Sequence, residues 1–119
     1  MTNRFAVEGD LVVVRSSGHQ NARDVFHFQS EMLELLGDRT KVLVLLREFQ
    51  GWDAAAFEDM KTIENDAELG AMVTKVAIVG PPKWNDSAML MSFYSARGES
   101  RYFAPPATES DAREWLATD

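Results

Sequence analysis

Two short apolar runs constrain the fold of this 119-residue chain more than any other sequence feature. Residues 41–46 are almost entirely Val and Leu, and residues 73–79 end in the run Val76-Ala77-Ile78-Val79. A strand with one wet face alternates apolar and polar residues, so an unbroken run indicates a strand that is covered on both faces. The sequence therefore predicts an α/β fold with two central parallel strands, whose sheet is covered by helices on both faces or heavily on one face.

Capping residues indicate where the helices begin and end. Asn21 and Asp24 have the spacing of a capping box, and Gly37 marks the end of that helix. The same spacing recurs at Thr108 and Asp111, before the last helix. The predicted helices cover residues 21–36, 53–67, 83–94 and 108–116.

The remaining apolar segments are short strands. Residues 4–8 and 11–15 flank Gly9-Asp10 and predict a β-hairpin, with residues 16–20 as a loop and residues 100–103 as a late strand. The resulting order is ββαβαβαβα. It predicts a five-stranded mixed, mostly parallel sheet with four helices and right-handed crossovers, in a single domain over residues 1–119.

Charge and composition exclude several classes of function. The chain has 12 basic and 19 acidic residues, a net charge of −7, and no cysteine. An acidic protein binds nucleic acid and anionic membranes weakly, because both partners are negatively charged. Without cysteine there is no disulfide and no thiolate nucleophile. No apolar run is long enough to cross a bilayer. We expect a cytoplasmic protein with no cofactor and no metal site.

The two histidines do not predict an enzyme. His19 lies in a predicted loop and has no obvious Ser or Asp partner in the sequence, and neither histidine has metal-ligand spacing. The alternative, an enzyme that uses His19 or Glu64, has no convergent partner groups in the sequence. We therefore predict no catalytic residue.

The third predicted helix is apolar nearly all round. Trp84 and Met91 share one side, whereas Met89, Leu90 and Phe93 occupy the other. One apolar face suffices to pack on a sheet, so the second must meet a helix, a partner subunit or an apolar ligand. Met89, Leu90 and Phe93 are therefore the candidate oligomer interface, with a buried core helix as the alternative.

Two tryptophans follow the ends of the central strands. Trp52 and Trp84 end the predicted loops of residues 48–52 and 80–84, which follow the carboxyl ends of the strands, where parallel sheets bind ligands. They are predicted either to line an apolar pocket or to close the end of the core. Phe57, Lys61 and Glu64 lie on the following helix and are placed to rim the same pocket, with an exposed ion pair as the alternative for Lys61 and Glu64.

An ordered series of landmarks resembles the SpoIIAA-like family, small bacterial proteins of STAS-type fold that are also compared with CRAL-TRIO lipid-binding domains. The resemblance rests on Phe49-x-Gly51-Trp52, Lys61, Val76-Ala77-Ile78-Val79-Gly80, Lys83-Trp84, Arg101-Tyr102-Phe103 and Ala112-Arg113-x-Trp115-Leu116. It implies the same order of strands and helices, no catalysis, and an apolar or lipid-like ligand.

The resemblance also bears on regulation. Related STAS regulators, the anti-anti-sigma factors, use a phosphorylated Ser or Thr at the start of the helix after the third strand. Residues 48–54 of this chain contain no hydroxyl side chain, and Asp53 supplies a permanent negative charge there. A phosphorylation switch is therefore not expected at this place.

The function predicted from the sequence is non-enzymatic binding of an apolar or lipid-like small molecule, with Trp52, Phe57, Lys61, Glu64, Trp84 and Met91 as the ligand-binding residues. The alternative is a regulatory protein-interaction module that acts through homo- or hetero-oligomerisation. A homodimer is the first expectation for its assembly.

Overall fold

The protein is built on one five-stranded sheet. The computed structural model describes residues 2–53, 60–85 and 99–118. The strands lie side by side in chain order, and the first is antiparallel to the second whereas all others are parallel. They are β1 (Thr2–Glu8), β2 (Leu11–Gln20), β3 (Lys41–Trp52), β4 (Lys75–Val79) and β5 (Glu99–Phe103). The predicted mixed, mostly parallel α/β sheet is confirmed.

Three α-helices lie within the described ranges, whereas four were predicted. They are α1 (Ala22–Leu36), α2 (Met60–Met72) and α3 (Glu109–Ala117). The helix predicted over residues 83–94 begins instead as a 3-10 helix, Pro82–Trp84, and residues 86–98 lie outside the described part of the chain. The proline at the start of this turn lacks a backbone N–H, and Trp84 N–H closes the turn by donating to the Pro81 carbonyl over 3.2 Å.

The predicted caps of α1 and α3 are confirmed. Asp24 N–H donates to Asn21 Oδ1, and Asn21 N–H donates to Asp24 Oδ2, each over 2.9 Å. Thr108 and Asp111 form the same reciprocal box at the start of α3. Gly37 follows α1 with φ of +52°, a backbone conformation that L side chains rarely adopt. These local hydrogen bonds fix where α1 starts and where α3 starts.

Both faces of the sheet are covered. The buried side chains of α1 and α2 belong to one core and those of α3 to the other, so α1 and α2 pack on the same face of the sheet and α3 packs on the opposite face. Residues of β3 alternate between the two cores, which explains its unbroken apolar sequence. The α1–α2 core includes Val12, Val14, Met32, Leu36, Val42, Val44, Leu46, Leu69, Val76 and Ile78. The α3 core includes Val13, Leu43, Leu45, Ala77, Phe103, Ala112 and Leu116.

A buried lysine holds the end of α3 against the sheet. Lys75, the first residue of β4, donates from Nζ to the Trp115 carbonyl at 3.0 Å and to the Thr118 carbonyl at 2.7 Å. Its ammonium group also lies 4.9 Å from the centre of the Trp115 ring. The last carbonyls of a helix have no partner within the helix, so Lys75 supplies one from the sheet.

Three sequence predictions on element boundaries are wrong. Residues 16–20 and 48–52, predicted as loops, belong to β2 and β3. The second helix continues to Met72 rather than ending near residue 67. Near its end Ala67 is exposed, whereas Leu69 is fully buried.

Candidate functional site

A two-stranded ribbon projects past the carboxyl end of the sheet. The pairing of β2 with β3 continues to Gln20 opposite Trp52, whereas β3 pairs with β4 only as far as Leu45 opposite Val79. Two register shifts place two extra residues in β3 along this ribbon. Such bulges increase the local twist and redirect side chains, and they are common beside functional sites. Glu48 has a positive φ of +51° within the first bulge.

Polar contacts fix the ribbon to the edge strand. Gln20 is 2% exposed, and its Oε1 accepts a hydrogen bond from Asn3 Nδ2 over 3.1 Å. Ser16 Oγ donates to Asn3 Oδ1 over 2.8 Å. A buried amide is costly unless it is paired, so these bonds hold the end of β2 in one place.

An ion pair lies at the tip of the ribbon. His19 Nε2 contacts Asp53 Oδ1, and Asp53 N–H donates to the Gln20 carbonyl over 2.9 Å. Both side chains are about half exposed. The hydrogen bond to the Asp53 carboxylate raises the pKa of His19 above its ordinary value. The pair joins the end of β2 to the residue that follows β3.

Three aromatic rings pack beneath the ribbon. The ring centres of Phe49 and Trp52 are 4.5 Å apart, those of Phe49 and Trp84 are 5.4 Å apart, and those of Trp52 and Trp84 are 6.3 Å apart, all edge to face. Gly51 makes room for the third ring, because a Cβ there would lie 3.0 Å from Trp84 Cη2. The described rings therefore pack on one another rather than facing each other across an open crevice.

The segment after β4 is fixed by a tyrosine from β5. Tyr102 donates its hydroxyl hydrogen to the Pro81 carbonyl over 2.6 Å, and burial raises the pKa of Tyr102 to about 12. A Cβ on Gly80 would meet the Tyr102 hydroxyl at 2.6 Å, so only glycine fits beneath it. Lys83 Nζ lies 5.2 Å from the centre of the Trp84 ring, on the exposed side of the turn.

Together these elements form one surface, which we call the carboxyl-edge surface. Its exposed or half-exposed members are His19, Gln50, Trp52, Asp53 and Lys83. It carries side chains of both charge signs and a partly exposed indole. No group of three metal-ligating side chains occurs within residues 2–53, 60–85 and 99–118. No described helix is long and apolar enough to span a membrane.

The predicted binding residues are only partly placed by the structure. Trp52 and Trp84 lie together at the carboxyl edge, and Glu64 is exposed on α2. Lys61 belongs to the α2 backbone, but its side chain lies outside the described part. The remaining predicted residues lie wholly outside the described part: Phe57, Met89, Leu90, Met91 and Phe93.

Sequence reasoning missed the partner of His19. Asp53 was placed at the start of the second predicted helix and residues 16–20 in a loop, so the two side chains were not placed together. The available signal was that β2 and β3 were both strands of one predicted sheet. Parallel neighbours end at the same edge, which brings the residues after them into contact.

The order of strands and helices defines a small STAS-type α/β domain. The sequence matches the family model described as SpoIIAA-like over residues 11–117. The chain therefore belongs to the SpoIIAA-like family, as its sequence landmarks predicted.

Solved structures share this fold at low sequence identity. An uncharacterized protein of the DUF3478 family with a SpoIIAA-like fold, from Shewanella loihica PV-4, superposes with a TM-score of 0.70 at 17% identity, over 98% of this chain and 93% of that one. The anti-sigma factor antagonist SpoIIAA in its unphosphorylated form gives 0.65 at 15% identity, over 99% and 100%. The phosphorylated form of SpoIIAA, a Bacillus cell fate determinant, gives 0.60 at 15% identity, over 97% and 99%. No curated protein matches the sequence.

Proposed function

We propose that this chain is a non-enzymatic regulatory module that binds a protein partner through the carboxyl-edge surface. Its family membership and the fold it shares with an anti-sigma factor antagonist support a role in protein interaction. The observation that carries the proposal is the β2–β3 ribbon, which extends beyond the sheet and is held in one conformation. A preformed surface loses little conformational entropy on binding.

The chemistry of the carboxyl-edge surface fits a protein better than a small molecule. Trp52 is its partly exposed aromatic member, and the other members, His19, Asp53, Gln50 and Lys83, are polar and exposed. A buried aromatic anchor within a polar rim is the common anatomy of a protein interface. The mixed charges favour a partner whose own surface carries both signs.

Phosphorylation is not part of the proposed mechanism. SpoIIAA is known in phosphorylated and unphosphorylated forms, but residues 48–54 of this chain offer no hydroxyl to a kinase. Asp53 carries a carboxylate there, and His19 partly neutralises it. Partner binding by this chain is therefore expected to be constitutive with respect to phosphorylation.

The apolar-ligand function predicted from the sequence receives no support from the comparisons. Phe49, Trp52 and Trp84 fill the space between one another, so the described part of the carboxyl edge contains a packed cluster. Lipid binding is kept as an outcome that the experiment below distinguishes.

Photo-crosslinking in cells of the source organism tests the proposal. A benzophenone amino acid replaces Gln50, which is exposed on the ribbon, and a control chain carries it at Glu34, exposed on α1. We expect one discrete protein adduct from position 50 and none from position 34. The captured protein, once purified, should bind the unmodified chain in solution.

Native mass spectrometry of the purified chain forms the second arm. A bare protein mass, together with a specific adduct at position 50, supports the proposal. A co-purifying lipid mass without a position-specific adduct would overturn it in favour of the apolar-ligand function.

A further inference from the structure

The outer edge of β1 is an open pairing edge. Among the described residues, β1 pairs with β2 alone, in a regular register from Thr2 opposite Ser17 to Glu8 opposite Leu11. Natural proteins block such edges with charged side chains, proline, bulges or very short strands. β1 has seven residues, no proline and no bulge, and its two charged residues, Arg4 and Glu8, have opposite signs. Val7, near its end, is a large apolar side chain that is 40% exposed.

The sequence of β1 is complementary to itself in antiparallel orientation. Its residues 4–8 are Arg-Phe-Ala-Val-Glu, so a two-fold axis through Ala6 sets Arg4 opposite Glu8 of a second copy and Phe5 opposite its Val7. Opposite charges and paired apolar side chains at directly facing positions both stabilise an antiparallel sheet.

Other registers are less favourable. If the two-fold axis is normal to the sheet, the same face of both copies lies on the same side of the joined sheet. Even-numbered residues of one β1 strand must then lie opposite even-numbered residues of the other, and odd-numbered residues opposite odd-numbered ones. Centring on Arg4 would set like charges directly opposite each other, and centring on Phe5 would set Asn3 against Val7. Only the register about Ala6 matches both charge and hydropathy across residues 4–8.

The side chains of β1 are free to make these contacts. Arg4 is exposed and has no carboxylate partner among the described residues. Glu8 is 45% exposed and uses Oε1 for Arg113 at 3.0 Å, which leaves Oε2 for a second arginine. Phe5 already packs against the Phe28 ring at 5.6 Å and so presents a fixed apolar edge.

We propose that two copies of this chain pair through β1, antiparallel and centred on Ala6, so that two five-stranded sheets form one continuous sheet. This contact lies on the edge of the sheet; Met89, Leu90 and Phe93, which the sequence suggested for an interface, lie outside the described residues. It does not depend on the proposed partner at the carboxyl-edge surface. A contact between two strands is smaller than the roughly 1,600 Å² of a standard interface, so we expect a concentration-dependent dimer.

Two charge reversals test the register. Sedimentation velocity over a concentration series should show a reversible dimer for the wild type. Arg4→Glu and Glu8→Arg each place like charges opposite one another, so each alone should dimerise roughly tenfold more weakly or worse. An equimolar mixture of the two variants restores both ion pairs and should recover the dimer, with circular dichroism as the check on folding.

Three results of this experiment would contradict the proposed dimer. A wild-type chain that stays monomeric at every concentration overturns the proposal. So do single variants that dimerise like the wild type, or a mixture that associates no better than its components.

Single cysteines provide a second test, because the natural chain has none. In the proposed register the two Ala6 Cα atoms face each other at about 5 Å, within the reach of a disulfide. The two Val7 positions are offset by two residues, about 7 Å along the strand, so their Cα atoms are too far apart for a disulfide. Under mild oxidation Ala6→Cys should cross-link much faster than Val7→Cys. Equal rates, or the reverse order, would refute the register.

Discussion

Replacing Gly51 with alanine should loosen the aromatic cluster and destabilise the whole protein. Gly51 has φ of +106°, where an L residue is strained, and a Cβ there would lie 3.0 Å from Trp84 Cη2 and 3.2 Å from Cζ3. The backbone strain costs about 1–3 kcal/mol, and displacing a packed ring costs about 1–3 kcal/mol more. We take about 3 kcal/mol as the expected loss, since the ring can relax in part.

Thermal denaturation measures this loss directly. A domain of this length has an unfolding entropy of about 0.25 kcal/mol/K, so about 3 kcal/mol lowers Tm by about 12 °C. Tryptophan emission should also shift to the red, because Trp84 leaves its contacts with Phe49 and Trp52.

Gly9 supplies the matched control. It also has a positive φ, of +62°, but nothing lies within 4 Å of an added Cβ. Gly9→Ala should therefore cost only about 1–2 kcal/mol of backbone strain and leave the tryptophan emission unchanged. Equal shifts in Tm for the two variants, or unchanged emission in Gly51→Ala, would refute the packing of Trp84 over Gly51.

Three further predictions concern hydrogen bonds and titrating groups. Lys75→Met removes the charged donor to the Thr118 carbonyl and one of the donors to the Trp115 carbonyl, and should lower the free energy of unfolding by about 2–3 kcal/mol in guanidinium titrations. Tyr102→Phe loses the bond to Pro81 and should cost about 1 kcal/mol. In the wild type, tyrosinate absorbance should give Tyr102 a pKa of about 12. Because this pKa is higher in the folded than in the unfolded chain, the contribution of Tyr102 to stability is complete below pH 10 and is lost as the pH rises through 12. In NMR titrations, Asp53→Asn should return the pKa of His19 towards its ordinary value. In the wild type, the contact between His19 and Asp53 stabilises the fold fully below pH 6.5, and this stabilisation is lost as the pH rises through the higher pKa that His19 has in the folded state.

The features that the sequence predicted well depend on local interactions. The capping boxes of α1 and α3 involve residues three apart, so the side-chain and backbone groups meet as soon as a helix forms. The central strands were predictable because burial on both faces leaves a continuous apolar run, as in residues 41–46 of β3. In such segments the chemistry of neighbouring residues determines the structure.

The ribbon could not be predicted in this way because its stability is non-local. Residues 48–52 contain Gly51 and polar side chains, which are typical of a loop, and the bulges of β3 break any alternation. Pairing with β2 and contact with Trp84 hold this segment as a strand. The ion pair of His19 with Asp53 depends on the same register, so it was missed together with the ribbon.

Calorimetric titration of the protein captured by cross-linking at Gln50 tests most directly whether the carboxyl-edge surface binds a protein. Gln50→Arg should weaken binding to the purified partner by about tenfold or more, about 1.4 kcal/mol, whereas Glu34→Arg on α1 should leave it unchanged. Equal affinity of both variants and the wild type would show that the partner binds elsewhere.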